Sequence, residues 1–348
     1  MSSLLEVPPY TADRRDEFLR QMHELHRLHL DGCASYRRFA DVTTDVSESE
    51  DLPYVHVGLF KRVLLQTDSP GLTHERVLKS SATSSGVSSE IRLDKTSSEL
   101  QAASTLAIFQ DFLGREPRPL LILDSPRSLR TRGEMSARIA AALSLRPLAT
   151  ELSFLLDDAS DPGSMKWGAL EEVLESSQRL MVYGFTWILW QAWAEQRFPE
   201  SIRSLLLGKE VHFVHSGGWK KLENVAVSRQ QFEDTLLDGL APGSKVIDYY
   251  GLVEQVGIIY PLCEHGYRHV PAWADVLVRD PYSGESVTDR VGQLQLMNVL
   301  ARGAPYHSVL TEDLGRVVSG TCECGRPGKR FELLGRVPKA EVRGCANV

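Results

Sequence analysis

Apolar residues along this chain follow two patterns, a helical repeat and short continuous runs. Residues 12–40 place apolar side chains at roughly helical spacing, which predicts an amphipathic helical region. Short runs that end at polar or glycine-containing turns are typical of buried parallel strands. The strand candidates are 120–124, 211–215 and 245–250, and the other helical patterns are 97–112, 170–180 and 230–240. This alternation predicts α/β layers.

The pattern changes at two places. Residues 180–193 form the longest apolar stretch, which is too short to span a bilayer and predicts a buried helix. From Trp273 to Leu334 the segments are shorter and β-rich, with glycine and proline turns. We therefore expect an N-terminal helical region, residues 1–75, packed on a core of residues 76–348 that has a β-rich subdomain from about residue 262.

Composition restricts the class of protein. The 348 residues carry a formal net charge of −7, which argues against a broad basic surface for nucleic acid. The first residues lack a basic segment followed by an apolar run, so no signal peptide is expected. Five cysteines at irregular spacing fit a reducing compartment better than a disulfide framework. We expect a cytoplasmic protein without a membrane span.

Two polar clusters each have competing interpretations. The segment 79–91 contains seven hydroxyl side chains, and it is either a solvated linker or a loop that wraps a polyphosphate. His23, His26 and His29 lie three residues apart in the N-terminal helical region, and steps of three residues drift around a helix. We expect a helix face with polar tips there rather than a metal site.

Three further stretches offer groups that suit a nucleotide. Residues 216–218, Ser-Gly-Gly, follow a predicted strand, where glycines let the backbone approach a planar ligand; a structural turn explains them equally well. Tyr250 is suited to stacking on adenine, and Glu254 to holding Mg²⁺. Asp313 is a candidate acceptor for two ribose hydroxyls, and Arg336 is a fixed cation for ribose or phosphate.

The order of these stretches carries a family resemblance. A Ser/Thr loop, Ser-Gly-Gly, Tyr-Gly-x-x-Glu, Thr-x-Asp and a Gly-Arg step follow one another between Ser80 and Val348. This series resembles the adenylate-forming superfamily of acyl-CoA synthetases, luciferases and peptide-synthetase adenylation domains. Residues 59–61, 250–257 and 343–345 are most similar to the acyl-protein synthetases of bacterial luminescence, the long-chain-fatty-acid luciferin-component ligases. The phenylacetate–CoA ligases are the nearest other branch.

The resemblance implies an α/β fold. It would be the large N-terminal domain of the adenylate-forming fold, with layered α/β subdomains and a smaller β-rich subdomain. In this interpretation residues 335–348 form a truncated hinge, and the C-terminal lid domain is absent.

The resemblance also implies ATP and Mg²⁺ as cofactors, with Glu254 at the metal. The implied nucleotide contacts are Thr83, Ser84, Ser85 and Gly86 in the loop, Gly217, Gly218, Tyr250 and Gly251 at adenine, and Asp313 and Arg336 at ribose. This chain departs from the family pattern at three positions, where Thr83 replaces Gly, Val253 replaces Thr and Glu312 replaces Gly. The replacement in the loop, Thr83 for Gly, bears on how closely the loop of this chain reproduces the family's geometry around the phosphates.

A second constellation contains thiols. Cys322 and Cys324 form a Cys-x-Cys pair, and Cys263 supplies a third thiol with either His265 or His269 nearby. Three thiolates and one imidazole would complete a tetrahedral structural zinc site, whereas reduced thiols without metal are the alternative. Zinc-bearing relatives of the phenylacetate-ligase type favour His269.

Cys345 is a thiol two residues after Arg343, which favours its thiolate. In the family that the chain resembles, a cysteine near the C-terminus is the acylation site. The main hypothesis is therefore ATP-dependent activation of a carboxylic acid as an acyl-adenylate, with transfer to Cys345, to a partner protein, or to both in turn. The partner would be a reductase or an acyl carrier protein.

Two alternatives stay open, an acyl- or aryl-CoA ligase of the phenylacetate–CoA ligase type and a non-catalytic nucleotide-binding partner subunit. The acid, fatty or aromatic, is not identified by the sequence. Apolar side chains in residues 185–190 either line its pocket or belong to the core.

Overall fold

Short strands and helices alternate in the computed structural model, which describes residues 3–11, 14–40, 47–79, 89–130, 137–219 and 226–337. Within these ranges the strands are β1 (Val55–His56), β2 (His74–Lys79), β3 (Glu90–Asp94), β4 (Arg118–Ile122), β5 (Ala149–Phe154), β6 (Arg179–Phe185), β7 (Glu210–Ser216), β8 (Lys245–Tyr250), β9 (Tyr260–Pro261), β10 (Arg268–His269), β11 (Ala274–Arg279), β12 (Gly292–Asn298), β13 (Ser308–Val318) and β14 (Arg330–Arg336). The α-helices are α1 (Arg15–Gly32), α2 (Ala34–Arg37), α3 (Lys95–Leu113), α4 (Ala137–Leu143), α5 (Trp167–Ser176), α6 (Thr186–Leu189), α7 (Glu200–Leu206) and α8 (Arg229–Leu237).

A largely parallel sheet forms the α/β layer, in the strand order β5-β4-β6-β7-β8-β9. Strands β4 to β8 run parallel to their neighbours, and β9 is antiparallel to β8. Helices cross over between successive strands, with α5 before β6, α7 before β7 and α8 before β8. Since the strands are parallel, their carboxyl ends meet at one edge of the sheet. The three predicted strands, 120–124, 211–215 and 245–250, are confirmed as β4, β7 and β8.

Both faces of this sheet are buried, which explains the continuous apolar runs. Leu120 and Ile122 of β4 pack into one hydrophobic cluster, and Leu121 between them packs into another on the opposite face. Strands covered on both sides need apolar residues at every position rather than at alternate ones. Helix α3 leads into this layer, and its first turn is capped by the Asp94 side chain, which accepts from the Ser97 N–H at 3.2 Å.

A second, mostly antiparallel sheet follows, in the order β10-β14-β13-β12-β11. It is the β-rich region that the sequence predicts between Trp273 and Leu334. Its central strand β13 also pairs in parallel with β1, so that Val55 lies opposite Val309. The N-terminal helix α1 buries Phe18 and Met22 in the main core. Strands β2 and β3 form a separate antiparallel pair.

Two interpretations of the sequence are wrong in part. Residues 180–193 were expected to be one buried helix, but residues up to Phe185 belong to β6 and only the remainder is helical, as α6 and a π-helical turn over Trp190–Ala194. A short, fully buried apolar run has no periodicity that separates strand from helix.

The histidines of α1 are the second correction. His26 and His29 are 2% and 0% exposed, so they point into the protein instead of forming polar tips. His29 Nδ1 lies 2.7 Å from Thr67 Oγ1, and its Nε2 lies 3.0 Å from the Ala301 carbonyl oxygen. These hydrogen bonds allow a polar ring to be buried.

Within the described ranges, no helix is both long and apolar enough to cross a membrane.

Candidate active site

The carboxyl ends of β6, β7 and β8 form the edge where the predicted nucleotide groups lie. The Ser-Gly-Gly turn begins at Ser216, the last residue of β7, and Gly217 adopts a left-handed conformation with φ +77°. Among the residues that the structure describes, no atom apart from the chain neighbours lies within 4 Å of a Cβ built on Gly217 or Gly218, so these residues leave the outer face of the turn open. Glycine suits Gly217 because side chains rarely adopt this φ.

Asp313 joins the two sheets at this edge. Its Oδ2 accepts a hydrogen bond from the Tyr250 hydroxyl at 2.7 Å, and its Oδ1 accepts from Arg336 Nε at 3.0 Å. Arg336 is positioned by strand register, since it lies directly opposite Asp313 between β14 and β13. The carboxylate is 7% exposed, so three predicted residues from distant parts of the chain meet at one buried acceptor.

The Tyr250 ring is held by its neighbours. It lies 6.1 Å from the Tyr260 ring in a stacked arrangement and 6.4 Å from the Phe331 ring, edge to face. Burial, followed by the Asp313 carboxylate, raises the pKa of Tyr250 well above its usual value. The hydroxyl therefore remains protonated and donates to Asp313.

Glu254 lies in a 3₁₀ turn, Val253–Gln255, just after β8, and it is 6% exposed. Burial raises the pKa of this carboxyl group, while a hydrogen bond from Ser89 and the charge of Lys61 act in the opposite direction. Ser89 belongs to the Ser/Thr segment 79–91 and is its first described residue after the gap at 80–88. This described residue of the segment thus lies beside the predicted Mg²⁺ ligand.

Lys61 belongs to a stretch that carries the family resemblance, but no role was predicted for it. It ends a 3₁₀ helix, Val57–Lys61, whose Phe60 packs in the same hydrophobic cluster as Val253. Neighbours of Lys61 and Glu254 are thus in one cluster, which brings an ammonium group toward a buried carboxylate. In the sequence, Lys61 stands out only as the last residue of the short motif 59–61. Where Lys61 lies in space depends on the pairing of β1 with β13.

An apolar cavity of about 220 Å³ adjoins these turns. Its walls include Phe185, Ser216, Tyr249, Gly251, Val253 and Ile259. Of the apolar residues in 185–190, Phe185 lines this cavity, whereas Ile188, Leu189 and Trp190 are buried in the core behind the sheet. Gly251 directly follows Tyr250 in the chain and forms part of the cavity wall.

Some predicted residues lie outside the described part of the chain. These are Thr83, Ser84, Ser85 and Gly86 of the Ser/Thr segment, and Cys345 with the rest of the predicted hinge from residue 338 onward.

The thiol constellation is brought together as one cluster. Ligand atoms of Cys263, His269, Cys322 and Cys324 all lie within 4.8 Å of one another. Cys263 Sγ is 3.9 Å from Cys322 Sγ, close to the ~3.8 Å edge of a tetrahedron with metal–sulfur bonds of about 2.3 Å. His269 Nε2 faces Cys324 Sγ at 3.1 Å, whereas His265 lies beside Glu323.

The imidazole of this cluster suits a metal ligand. Burial lowers the pKa of His269 to about 4, so its ring is neutral at physiological pH, as metal ligation requires. Four soft or borderline donors in this arrangement fit zinc chemically.

Comparison with known structures identifies the fold. An open conformation of 2-hydroxyisobutyryl-CoA ligase, in complex with 2-HIB-AMP and CoA, matches with a TM-score of 0.69 at 16% identity, covering 96% of this chain and 77% of the other. The postadenylation state of the same ligase matches with a TM-score of 0.66, covering 94% and 68%. The chain therefore has the fold of the adenylate-forming CoA ligases, which confirms the predicted α/β fold class.

The family follows from sequence comparison. The model of the family "Acyl-protein synthetase, LuxE" matches residues 9–348, and the chain belongs to this family. It is 28% identical over 142 residues to a long-chain-fatty-acid–luciferin-component ligase of Aliivibrio fischeri, and 27% identical over 143 residues to that of Vibrio harveyi. Each alignment covers 40% of this chain, and they span 37% and 36% of those two relatives. The predicted family is confirmed.

Proposed function

We propose that this chain activates a carboxylic acid with ATP and transfers the acyl group to a protein thiol. A carboxylate oxygen attacks the α-phosphorus of ATP, and the bond to pyrophosphate breaks, which gives an acyl-adenylate. A thiolate then attacks the acyl carbon, forming a thioester and releasing AMP. The observation that carries this proposal is the buried Asp313 carboxylate, shared by Tyr250 and Arg336 at the junction of the two sheets.

The nucleotide would bind across this junction. Asp313 and Arg336 are the proposed ribose contacts, because a carboxylate accepts from hydroxyl groups and a guanidinium donates in a fixed geometry. Gly217, Gly218, Tyr250 and Gly251 are the proposed adenine contacts, and for Gly217 and Gly218 the open face of the glycine turn supports this. The proposed phosphate contacts are the loop residues Thr83, Ser84, Ser85 and Gly86.

Glu254 is the proposed Mg²⁺ ligand. When bound, Mg²⁺ would neutralise charge on the phosphates and stabilise the transition state of attack at the α-phosphorus. Glu254, which is hydrogen-bonded to Ser89, would hold the cation, and Lys61 would supply a further positive charge near this carboxylate. Because burial raises the pKa of Glu254, Mg²⁺ binding should weaken as the pH falls and this carboxylate is protonated.

The apolar cavity beside Gly251 is the proposed acid pocket. Its position next to the glycine turn and to Tyr249 would bring a carboxylate toward the nucleotide. The name of the curated relatives, long-chain-fatty-acid–luciferin-component ligases, supports a fatty acid as substrate.

The acyl acceptor is proposed to be Cys345, with onward transfer to a partner such as a reductase or an acyl carrier protein. Family membership supports a protein thiol. Coenzyme A is the second candidate acceptor, which the matches to CoA ligases favour.

We further propose that Cys263, His269, Cys322 and Cys324 hold a structural Zn²⁺, which the 3.9 Å and 3.1 Å contacts in the cluster support. Reduced thiols of this kind suit a cytoplasmic location.

Acid-dependent ATP–pyrophosphate exchange tests the proposal. Asp313→Asn should lose about 30- to 1,000-fold in exchange, because removing a charge-assisted contact of this kind costs roughly 2–4 kcal/mol of transition-state stabilisation. Asp275→Asn is the matched control, since Asp275 is also a partly buried carboxylate of the second sheet but pairs with Lys329. Exchange that is equally reduced in both variants, or normal in Asp313→Asn, would reject the assignment.

A further inference from the structure

Thr186 lies beside the Ser-Gly-Gly turn and has no role in the site described above. It directly follows β6, and the β6–β7 register places Phe185 opposite Ser216, so Thr186 comes beside Gly217. Its hydroxyl oxygen lies 2.7 Å from the Gly217 carbonyl oxygen and 3.3 Å from that of Ser216. The same hydroxyl lies 3.0 Å from His215 Nδ1, and Thr186 is 6% exposed.

The direction of these hydrogen bonds follows from counting protons. A carbonyl oxygen only accepts, so the single hydroxyl proton of Thr186 goes to the nearer carbonyl, that of Gly217. The hydroxyl oxygen then accepts from His215 Nδ1–H. Burial lowers the pKa of His215, which keeps its ring neutral with one N–H. The chain of donors therefore runs from His215 through Thr186 to Gly217.

The two glycines bring no side chain to fix this part of the turn, and among the described residues no atom apart from their chain neighbours lies within 4 Å of a Cβ built on either one. The next residue, Trp219, is anchored by its ring, which packs against Trp190 and Phe232. A glycine pair in water has many accessible backbone conformations, so an anchored carbonyl restricts the turn strongly.

We propose that Thr186 is a positioning residue for the nucleotide: its hydroxyl, oriented by His215, holds the Gly217 carbonyl and so fixes the face of the turn that receives adenine. This inference rests on the proposed function, because it takes the turn as the adenine contact. It predicts that Thr186 affects affinity for the nucleotide and the preference for adenine, and not the chemical step.

The test compares Thr186→Val with Thr186→Ser. Valine keeps the shape of threonine and lacks the hydroxyl, whereas serine keeps the hydroxyl. For Thr186→Val we expect KM for ATP to rise about three- to tenfold, as for one lost hydrogen bond. We expect kcat and KM for the acid within about twofold of wild type, as for an interaction that acts on binding alone. Thr186→Ser should stay within about twofold of wild type in all three constants, because it retains the bond.

A matched control separates positioning from stability. Thr67 is also buried, and its hydroxyl also pairs with a histidine Nδ1, that of His29, but it lies in the N-terminal region. Thr67→Val should lower the unfolding midpoint without changing KM for ATP or the ATP/GTP ratio of kcat/KM. In Thr186→Val this ratio should fall. If Thr186→Val does not fold, Thr186→Ala removes the same hydroxyl without adding a methyl group.

Each outcome decides the inference. An unchanged KM for ATP and an unchanged ATP/GTP ratio in an active Thr186→Val protein would overturn it while leaving the proposed function intact. Equal effects in Thr186→Val and Thr67→Val would also overturn it, since they indicate a general loss of stability. Wild-type protein that neither binds ATP nor exchanges pyrophosphate would instead overturn the proposed function, and this inference with it.

Discussion

Acidification from pH 7 to pH 5 is expected to destabilise this protein through the buried ring of His29. The ring is fully buried and uses both nitrogen atoms, one toward Thr67 and one toward the Ala301 carbonyl. Burial lowers its pKa to about 3. Below pH ~6.5 the unfolded chain therefore binds a proton that the folded protein does not, so stability falls as the pH falls.

The magnitude follows from linkage. With a pKa of about 6.5 in the unfolded chain and about 3 in the folded protein, His29 alone accounts for a loss of about 2 kcal/mol between pH 7 and pH 5. The His307 ring lies 4.7 Å from the His29 ring, tilted by 31°. Burial, followed by the charge of His29, lowers the pKa of His307 as well, so its contribution has the same sign. The loss continues until the folded pKa is reached.

Urea unfolding at several pH values measures this effect. The wild-type unfolding free energy should fall more steeply between pH 7 and pH 5 than that of His29→Gln, in which the titrating ring is absent. The difference between the two losses should be about 2 kcal/mol, and it cancels the titration of the groups that do not interact with His29. His23→Gln on the same helix, where the side chain is only half-buried, should follow the wild-type slope. Parallel curves for wild type and His29→Gln would refute the reasoning.

Two further predictions concern the thiols. Purified protein should contain about one zinc per chain, lost together with solubility in the double variant Cys322→Ser, Cys324→Ser, because structural zinc contributes folding free energy; elemental analysis that finds no zinc in chelator-free wild type would contradict this. Cys345→Ser should still form acyl-adenylate but accumulate no thioester, because a serine hydroxyl is a poor nucleophile without a dedicated base. Intact mass before and after hydroxylamine measures this, and equal adducts on both proteins would make Cys345 a bystander.

The parts of the fold that could be predicted from sequence are those with a local signature. Strand β7 has apolar residues on both faces, because Phe213 packs into one hydrophobic cluster and Val214 into the other, and the glycine turn at its end marks where it stops. Strand β6 has the same apolar character, but the apolar run continues into α6 without a break in composition. Burial on all sides removes the periodicity on which the prediction depends.

The parts that could not be predicted depend on contacts between residues far apart in the chain. His29 looks like a surface residue of an amphipathic helix, and its partners Thr67 and Ala301 lie 38 and 272 residues away. The order of motifs identified Tyr250 and Asp313 as separate candidates. That Tyr250 donates directly to Asp313 depends on how the two sheets pack, which no local pattern specifies.

The thiol cluster also has a consequence for chain connectivity. Cys263 follows β9 of the first sheet, and Cys322 lies 59 residues further along, just after β13. A metal that bridges the two would close a loop of this size, and by analogy with a disulfide it would remove unfolded-state entropy worth about 4 kcal/mol. Strand β13, with Asp313 on it, lies inside that loop. The bridge would therefore act on the proposed ribose acceptor through the topology of the chain, although none of its four ligands belongs to the proposed nucleotide site.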